Sequence, residues 1–512
     1  MRFFLRFLCL LILVCYTVNV FGQAVTTVHK PAPVDSATRV TQLQKNIEDV
    51  TLAIKQKKSS NPTALSVLYI MRAMDESALQ QYDTAIQDFS TAIEINADLK
   101  VAYWNRGLAY ERVKNYDGAL SDYQKALTYY KNDPSQAVIL YNNIAIIQKD
   151  LRKFDEAIAS DSIAIALEPR YPPAYVNRAK VYMITRKYEN AIKDFNIALN
   201  ANYSKQVLSN LLFGRGDAKR FLRRYKEAIN DYSLAIELNP DNRLAYWNRA
   251  ASYNQNGDFE LANTDYSKAI TYYKGDSKNL ARLYDDRALM EIDIQQYQKA
   301  IADDSLAITL DDKLALAYWH SADAYAENGD FQLSIDWYYK AMPFYQTNKS
   351  AQGFFYDNIA SEAYFLNDYQ KVIDASTSSI TLYGKAWGPH LNRGRAYLKK
   401  ANKEMAMNDF NKVLVLDTTK ASFEYAFALF YTGNSDKAIE VMQKNVIATT
   451  NDAVLRSHYY NLACLFSLMN KPDEANIYLK KCIDSGYSKK YVQTDPDLDN
   501  IRNTKEYIDI MH

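Results

Sequence analysis

Cysteine is scarce in this chain: four residues in 512, and only Cys464 and Cys482 lie beyond the first 22 residues. A disulfide-built scaffold is excluded by that count. Histidine is also scarce. The five (His29, His320, His390, His458, His512) are scattered, and no two share the spacing of a metal-binding pair. No Gly-rich phosphate loop, nucleophile elbow or Cys-His constellation is present. These absences argue against catalysis and against a cofactor or metal. Charge of one sign is missing as well. Without residues 1–22 the chain carries 59 Lys and Arg against 60 Asp and Glu, which argues against a general nucleic-acid binder.

There is one long apolar run, Phe7–Val18, behind Arg2 and Arg6. At about 20 Å as a helix it is too short to span a bilayer. With Val20-Phe21-Gly22 after it, residues 1–22 read as a secretory signal cut before Gln23. Cys15 lacks a small residue just before it, which argues against lipid anchoring. The expected location is periplasmic or extracellular, with no transmembrane segment in the mature chain. Residues 23–37 read as a flexible leader.

What the chain has in abundance is repetition. Ala-Tyr-Trp-Asn-Arg-Gly at Ala102–Gly107 returns in variants at Ala174, Ala245, Ala317 and Pro389, spaced 72, 71, 72 and 72 residues. A second string, Tyr-x-x-Ala-Ile-x-Asp, starts at Tyr82, Tyr188, Tyr225 and Tyr297, with Leu for Ile after Tyr116. Looser variants start at Phe154, Phe259, Phe331 and Tyr369. Small and aromatic residues recur at helical spacing within each repeat: Tyr103, Gly107 and Tyr110, then Ala119, Tyr123 and Ala126. Short polar turns such as Lys114-Asn115 separate the two sets. Each repeat is therefore a helix–turn–helix hairpin, and the period specifies a stack.

The pattern resembles the tetratricopeptide repeat. Counting from the start of each hairpin, an aromatic stands at position 4, a small residue at 8, an aromatic at 11, and Ala at 20 and 27. In the second repeat these are Tyr103, Gly107, Tyr110, Ala119 and Ala126, and Pro169 and Pro240 fill position 32 in two others. The resemblance covers about four fifths of the chain. It implies an all-α, right-handed superhelical solenoid of about twelve hairpins over residues 66–486. Residues 38–65 would form an N-terminal capping helix and residues 487–512 a C-terminal cap, covering the end faces. Position 11 alternates between Tyr (Tyr110, Tyr182, Tyr253, Tyr325, Tyr397) and other residues, so the true period is a 72-residue pair of hairpins. Every second joint carries three or four extra residues.

Cys464 and Cys482 occupy positions 9 and 27 of the last repeat, out of register by about 12 Å along the helix. That exceeds the reach of a disulfide.

Arg at position 7 accompanies Asp at position 23 in seven repeats: Arg72 with Asp88, Arg106 with Asp122, Arg178 with Asp194, Arg215 with Asp231, Arg249 with Asp265, Arg287 with Asp303, and Arg393 with Asp409. In the other five repeats both are absent together. The covariation within one chain predicts an ion pair across each of the seven hairpins. The Arg of the Asn-Arg string therefore belongs to the fold.

The resemblance implies that positions 2, 5, 6, 9, 12 and 13 line a concave face that takes a partner. Position 6 supplies Asn105, Asn143, Asn177, Asn248, Asn358 and Asn392, with His320 in one repeat. Position 5 supplies Trp104, Trp247 and Trp319. An Asn row suits the backbone of an extended peptide, and a Trp row suits apolar side chains or sugar rings. Position 2 in the even repeats is Val101, Pro173, Leu244, Leu316 and Gly388, without the basic residues of a carboxylate clamp. The expected function is a non-catalytic scaffold for a protein or peptide partner. Glycan binding, or a place in an outer-membrane assembly or export complex, is the alternative.

Overall fold

The computed structural model describes residues 36–57, 61–384 and 386–512. The expected signal and nearly all of the expected leader lie outside the described residues. Among these residues there are 27 α-helices, two short 3-10 turns and no strand. The chain divides into an N-terminal unit ending at Asn256 and a C-terminal unit from Gly257.

The N-terminal unit begins with helix Ser36–Lys57, which packs on the first hairpin. That hairpin opens at Pro62 rather than at 66. Five complete hairpins follow one another, the last being Lys205–Phe221 with Tyr225–Leu238, and helix Arg243–Asn256 packs on it. The C-terminal unit starts with helix Phe259–Tyr272 and continues through six hairpins, the last being Asp452–Leu468 with Pro472–Asp484.

Two sequence features close hairpins such as that of Lys100–Arg112 with Tyr116–Tyr129. Ala at positions 20 and 27 lets the helices approach, as Ala119 and Ala126 do, both with no exposed surface. The small residue at position 8 receives the aromatic ring at position 24. A Cβ on Gly107 would sit 2.7 Å from the Tyr123 ring, and one on Gly216 would sit 2.8 Å from that of Tyr232. The phenol ends of these rings are held by acids: Tyr123 donates to Glu111 at 2.9 Å and Tyr232 to Asp217 at 2.6 Å.

The turn of each repeat passes through one residue with positive φ, at position 15. Three are Gly257, Gly329 and Gly433. The rest are side-chain-bearing residues such as Lys114 (φ 60°), Arg152 (φ 60°) and Ala401 (φ 58°). A non-glycine residue there costs about 1–2 kcal/mol, so tertiary packing outweighs local preference at these turns.

The extra residues at alternate joints do not lengthen a loop. They add a helical turn. First helices of odd repeats run to 17 residues, as in Pro134–Asp150 and Ser277–Asp293, against 13 in Lys100–Arg112 and Ala315–Glu327. Asp133, Ser204, Asp276 and Asn348 cap the added turn through a backbone N–H three residues on.

Cys464 and Cys482 are both buried free thiols. No helix of the described residues is long and apolar enough to cross a membrane.

Candidate functional site

The Arg–Asp pairs form a regular ladder. Six of the seven lie within a unit, and in all six Nε and one terminal nitrogen of the guanidinium grip both carboxylate oxygens. Distances run from 2.6 Å (Arg72 Nε to Asp88 Oδ2) to 2.9 Å (Arg393 Nε to Asp409 Oδ2). The seventh expected pair, Arg249 and Asp265, has its two members in different units.

The remaining nitrogen of each Arg makes a bond that sequence reasoning missed. It reaches back to position 25 of the preceding hairpin: Arg106 to Ser90 at 2.9 Å, Arg178 to Ser162 at 2.9 Å, Arg215 to Asn196 at 2.7 Å. Arg249 reaches Ser233, Arg287 Ser267 and Arg393 Thr377, each at 3.0 Å. Arg72 makes the equivalent bond to Thr51 of the N-terminal helix at 3.0 Å. Each of the six paired Arg residues therefore closes its own hairpin and ties it to the helix or hairpin before. The signal was the Ser, Thr or Asn at position 25 before each Arg-bearing repeat.

In the N-terminal unit the first helices of successive hairpins line a cleft of about 560 Å³. Its wall consists of positions 2, 5, 6 and 9 of three consecutive repeats: Val101, Trp104, Asn105 and Leu108; Ile139, Asn142, Asn143 and Ile146; Pro173, Val176, Asn177 and Lys180. Tyr130, Tyr171 and Tyr203 enter from the lengthened joints. Burial pushes Tyr171 up to about 12 and raises Tyr130 and Tyr203. All three therefore present neutral hydroxyls near neutral pH. Burial lowers Lys180, with Lys149 adding to the effect. Four of the expected partner-binding residues, Trp104, Asn105, Asn143 and Asn177, meet in this cleft.

The Asn and Trp rows are more tied up than an open ladder. Asn177 Nδ2 donates to Asn142 Oδ1 at 2.6 Å, and Asn248 Nδ2 to Asp217 Oδ1 at 2.7 Å. Asn105 Nδ2 donates to the Val101 carbonyl at 2.8 Å. In the C-terminal unit, Asn392 reaches Ser361 Oγ at 3.1 Å, and His320 Nδ1 lies 2.8 Å from Asp285 Oδ1. Trp104 is buried edge-to-face on Tyr130, with ring centres 5.4 Å apart. Trp319 packs on Phe355 at 5.0 Å and Tyr345 at 5.8 Å. Trp247 and Asn358 are half-buried. In the C-terminal unit, Asn392 lines a cavity.

The inner face of the C-terminal unit carries the protein's own C-terminal segment. Residues 487–512 do cover the last hairpin, through Asn476 Nδ2 donating to Thr504 at 3.1 Å. They also do more than cap. Lys490 Nζ pairs with Asp330 at 2.6 Å, and Tyr491 stands edge-on to Phe331 and Phe365 at 5.0 and 5.1 Å. Tyr364 donates to Asp497 Oδ1 at 2.8 Å, and the Arg395 guanidinium pairs with Asp497 Oδ2. Tyr460 donates to Asp495. The space left there, about 220 Å³, has Asp495 and Asp497 in its wall.

Models of the repeat match the chain in six places. The one described as "TPR repeat" matches residues 77–113 and 216–257, and those described as "Tetratricopeptide repeat" match 101–133, 172–204, 389–420 and 459–485. Tetratricopeptide repeat protein 6 of Homo sapiens is 26% identical over 316 residues, 54% of this chain and 59% of that protein. DnaJ homolog subfamily C member 7 of Homo sapiens is 33% identical over 109 residues, 21% of this chain and 22% of that protein. The chain thus spans less than two thirds of these relatives. A solved tetratricopeptide repeat protein from Parabacteroides merdae is 19% identical, with 51% of this chain and 98% of that one covered, at a TM-score of 0.37. YrrB, described as a TPR protein with an unusual peptide-binding site, is 22% identical, with 38% and 95% covered and a TM-score of 0.33. Repeat matches in both units, on a chain built of packed helix hairpins, make this protein a member of the tetratricopeptide repeat family.

Proposed function

We propose that this protein is an exported, non-catalytic scaffold that holds a peptide or protein partner in the cleft of its N-terminal unit. The observation that carries the reading is the cleft itself. Twelve side chains from positions 2, 5, 6 and 9 of three repeats converge on one open, largely apolar volume. Its polar groups are amides and phenols, with Lys180 and Arg112 at the wall, which suits an extended segment with apolar side chains and a hydrogen-bonding backbone. The glycan reading needs exposed Trp faces, whereas Trp104 and Trp319 lie against aromatic neighbours of their own chain. Export rests on residues 1–22, with Arg2 and Arg6 before the apolar run.

The test is capture on the immobilised mature chain, with mass spectrometry of what it retains. Val176→Glu places a charge in the cleft wall. A partner retained by the native chain and lost with this variant supports the reading. Equal retention by both overturns it. Export is tested separately by fractionating cells that express the full chain. Retention of all the protein with the cytosolic fraction refutes that part.

A further inference from the structure

The inner layer of the C-terminal unit holds three potential metal ligands from three successive helices. Asp285 comes from Ser277–Asp293, Asp304 from Tyr297–Leu310 and His320 from Ala315–Glu327. One ligand atom of each lies within 4.8 Å of the others. We propose that Asp285, Asp304 and His320 form a binding site for a first-row divalent cation, with zinc the best match to two carboxylates and one imidazole.

Two observations separate this cluster from an ordinary group of acids. The first is an unpartnered atom. Asp304 has no exposed surface, and its Oδ1 has no hydrogen-bond partner. Its Oδ2 has only the Ser321 hydroxyl, at 3.4 Å. A buried polar atom left unmatched in this way is destabilising unless something binds it.

The second is a comparison within the chain. The same three places in the third and fourth repeats hold Asn142, Asp161 and Asn177, with the two amides bonded to each other at 2.6 Å. There the fourth repeat supplies Arg178 at position 7, and its positive charge acts on Asp161. In the eighth repeat position 7 is Ser321. The C-terminal cluster has therefore gained a carboxylate and an imidazole and lost the guanidinium. The charges bearing on Asp304 are those of Asp285, Asp303 and Glu291, all negative, and Asp303 is already paired with Arg287. Asp286 and Asp323 face His320 from their own helices.

Two carboxylate oxygens and one ring nitrogen bind the ion, with water completing four-coordination.

Zinc titration of the full chain, first stripped with a chelator, tests the site. One Zn²⁺ per chain is expected, with a raised unfolding temperature. Co²⁺ serves as an optical probe of four-coordinate geometry. His320→Asn copies the residue of the sister repeat, and Asp304→Asn removes a ligand charge with little change of shape. Each is expected to weaken binding about 100-fold or more. His512→Gln is expected to leave it unchanged. Absence of saturable binding below about 100 µM, or binding that survives both ligand substitutions, overturns the proposal. If His320→Asn fails to fold, Asp304→Asn alone decides.

Discussion

The two units use the same inner-face positions in opposite ways. In the N-terminal unit positions 2, 5, 6 and 9 surround an open cleft of about 560 Å³. In the C-terminal unit the equivalent face is occupied by residues 487–498, with Tyr364, Arg395 and Tyr460 bonded to Asp495 and Asp497. One repeat pattern thus supports both a surface for something else and a surface for the chain itself. The difference lies in a few side chains. Position 9 is Leu108, Ile146 and Lys180 in the open face, and Arg395, Phe427 and Cys464 where the chain folds back. Arg395, with 12% of its side chain exposed, must keep its carboxylate, because an unpaired charge in that setting is costly.

The buried pair gives the largest expected difference between the units. Asp497→Ala leaves the Arg395 guanidinium without its acid and is expected to cost about 3–5 kcal/mol. Tyr364 also loses its acceptor. The loss is expected in the C-terminal unit alone. Hydrogen exchange resolved along the chain checks this: protection falls over the helices between 349 and 468 and stays unchanged over the helices between 100 and 221. A uniform fall across the chain would break the comparison.

The Arg–Asp ladder is shared, so its effect should differ only in degree. Asp194→Ala is expected to destabilise by about 1–3 kcal/mol, since Arg178 loses two of its three bonds. Asp409→Ala should cost more, because Asp409 also bonds His390 at 2.8 Å. Burial raises Asp409, but the bonds from Arg393 and His390 outweigh it and hold its pKa below the ordinary value. Its contribution is therefore present at neutral pH and lost in acid, as pH falls through that depressed pKa. Replacing both partners, as in Arg178→Met with Asp194→Leu, should cost less than removing either one. Denaturant titrations of the single and double variants measure the coupling.

The ladder also shows how much of this molecule can be read from sequence. Arg at 7 and Asp at 23 appear and vanish together, so a contact could be inferred from one chain. The third bond of each Arg was less legible, because Ser and Thr at position 25 also occur where no Arg follows, as at Ser305. The alternating joint was visible as extra residues, but their conversion into a helical turn depends on caps such as Asp133 and Asp276, which also read as loop residues. The positive-φ turn at position 15 was hidden because Gly fills it in only some repeats. The Trp row drew attention as a surface, yet the joints that supply Tyr130 and Tyr345 partly bury Trp104 and Trp319. The seat of the C-terminal segment had no local signal. Asp497 and Tyr364 are 133 residues apart, and nothing in either stretch names the other.

Alkaline pH should separate the units further. Burial pushes Glu76 up to about 7 and Asp161 to about 8 in the N-terminal unit. The C-terminal unit has more such groups: Asp323 at about 6, Glu291 and Asp357 at about 7, and Asp304 at about 9. A carboxyl with a raised folded pKa binds more protons folded than unfolded, so stability falls as pH rises from the unfolded value through the folded one. The window here runs from about pH 4 to about pH 9. With chelator present, the unfolding midpoint is expected to drop between pH 6 and 9, and more steeply in the C-terminal unit. Asp304→Asn should flatten that slope. An equal slope in both units would contradict the charge contrast.

The smallest effect on stability belongs to the cleft, and it carries the sharpest functional contrast. Val176 is half-buried in the cleft wall, in a helix anchored by Arg178 and Asn177 on either side. A Glu there can extend its carboxylate into the open volume, so the unfolding free energy should change by no more than about 0.5–1 kcal/mol. Binding of an extended apolar segment should weaken by about tenfold or more, because the new charge must lose water when the partner seats. A matching change on the other inner face, Lys490→Ala, removes the pair with Asp330 and loosens the C-terminal segment without touching the cleft. If the two faces are as different as their linings, the first variant loses the partner at nearly constant stability and the second keeps it. Loss of the partner with Lys490→Ala and its retention with Val176→Glu would place recognition on the C-terminal unit, with the chain's own segment competing for the seat.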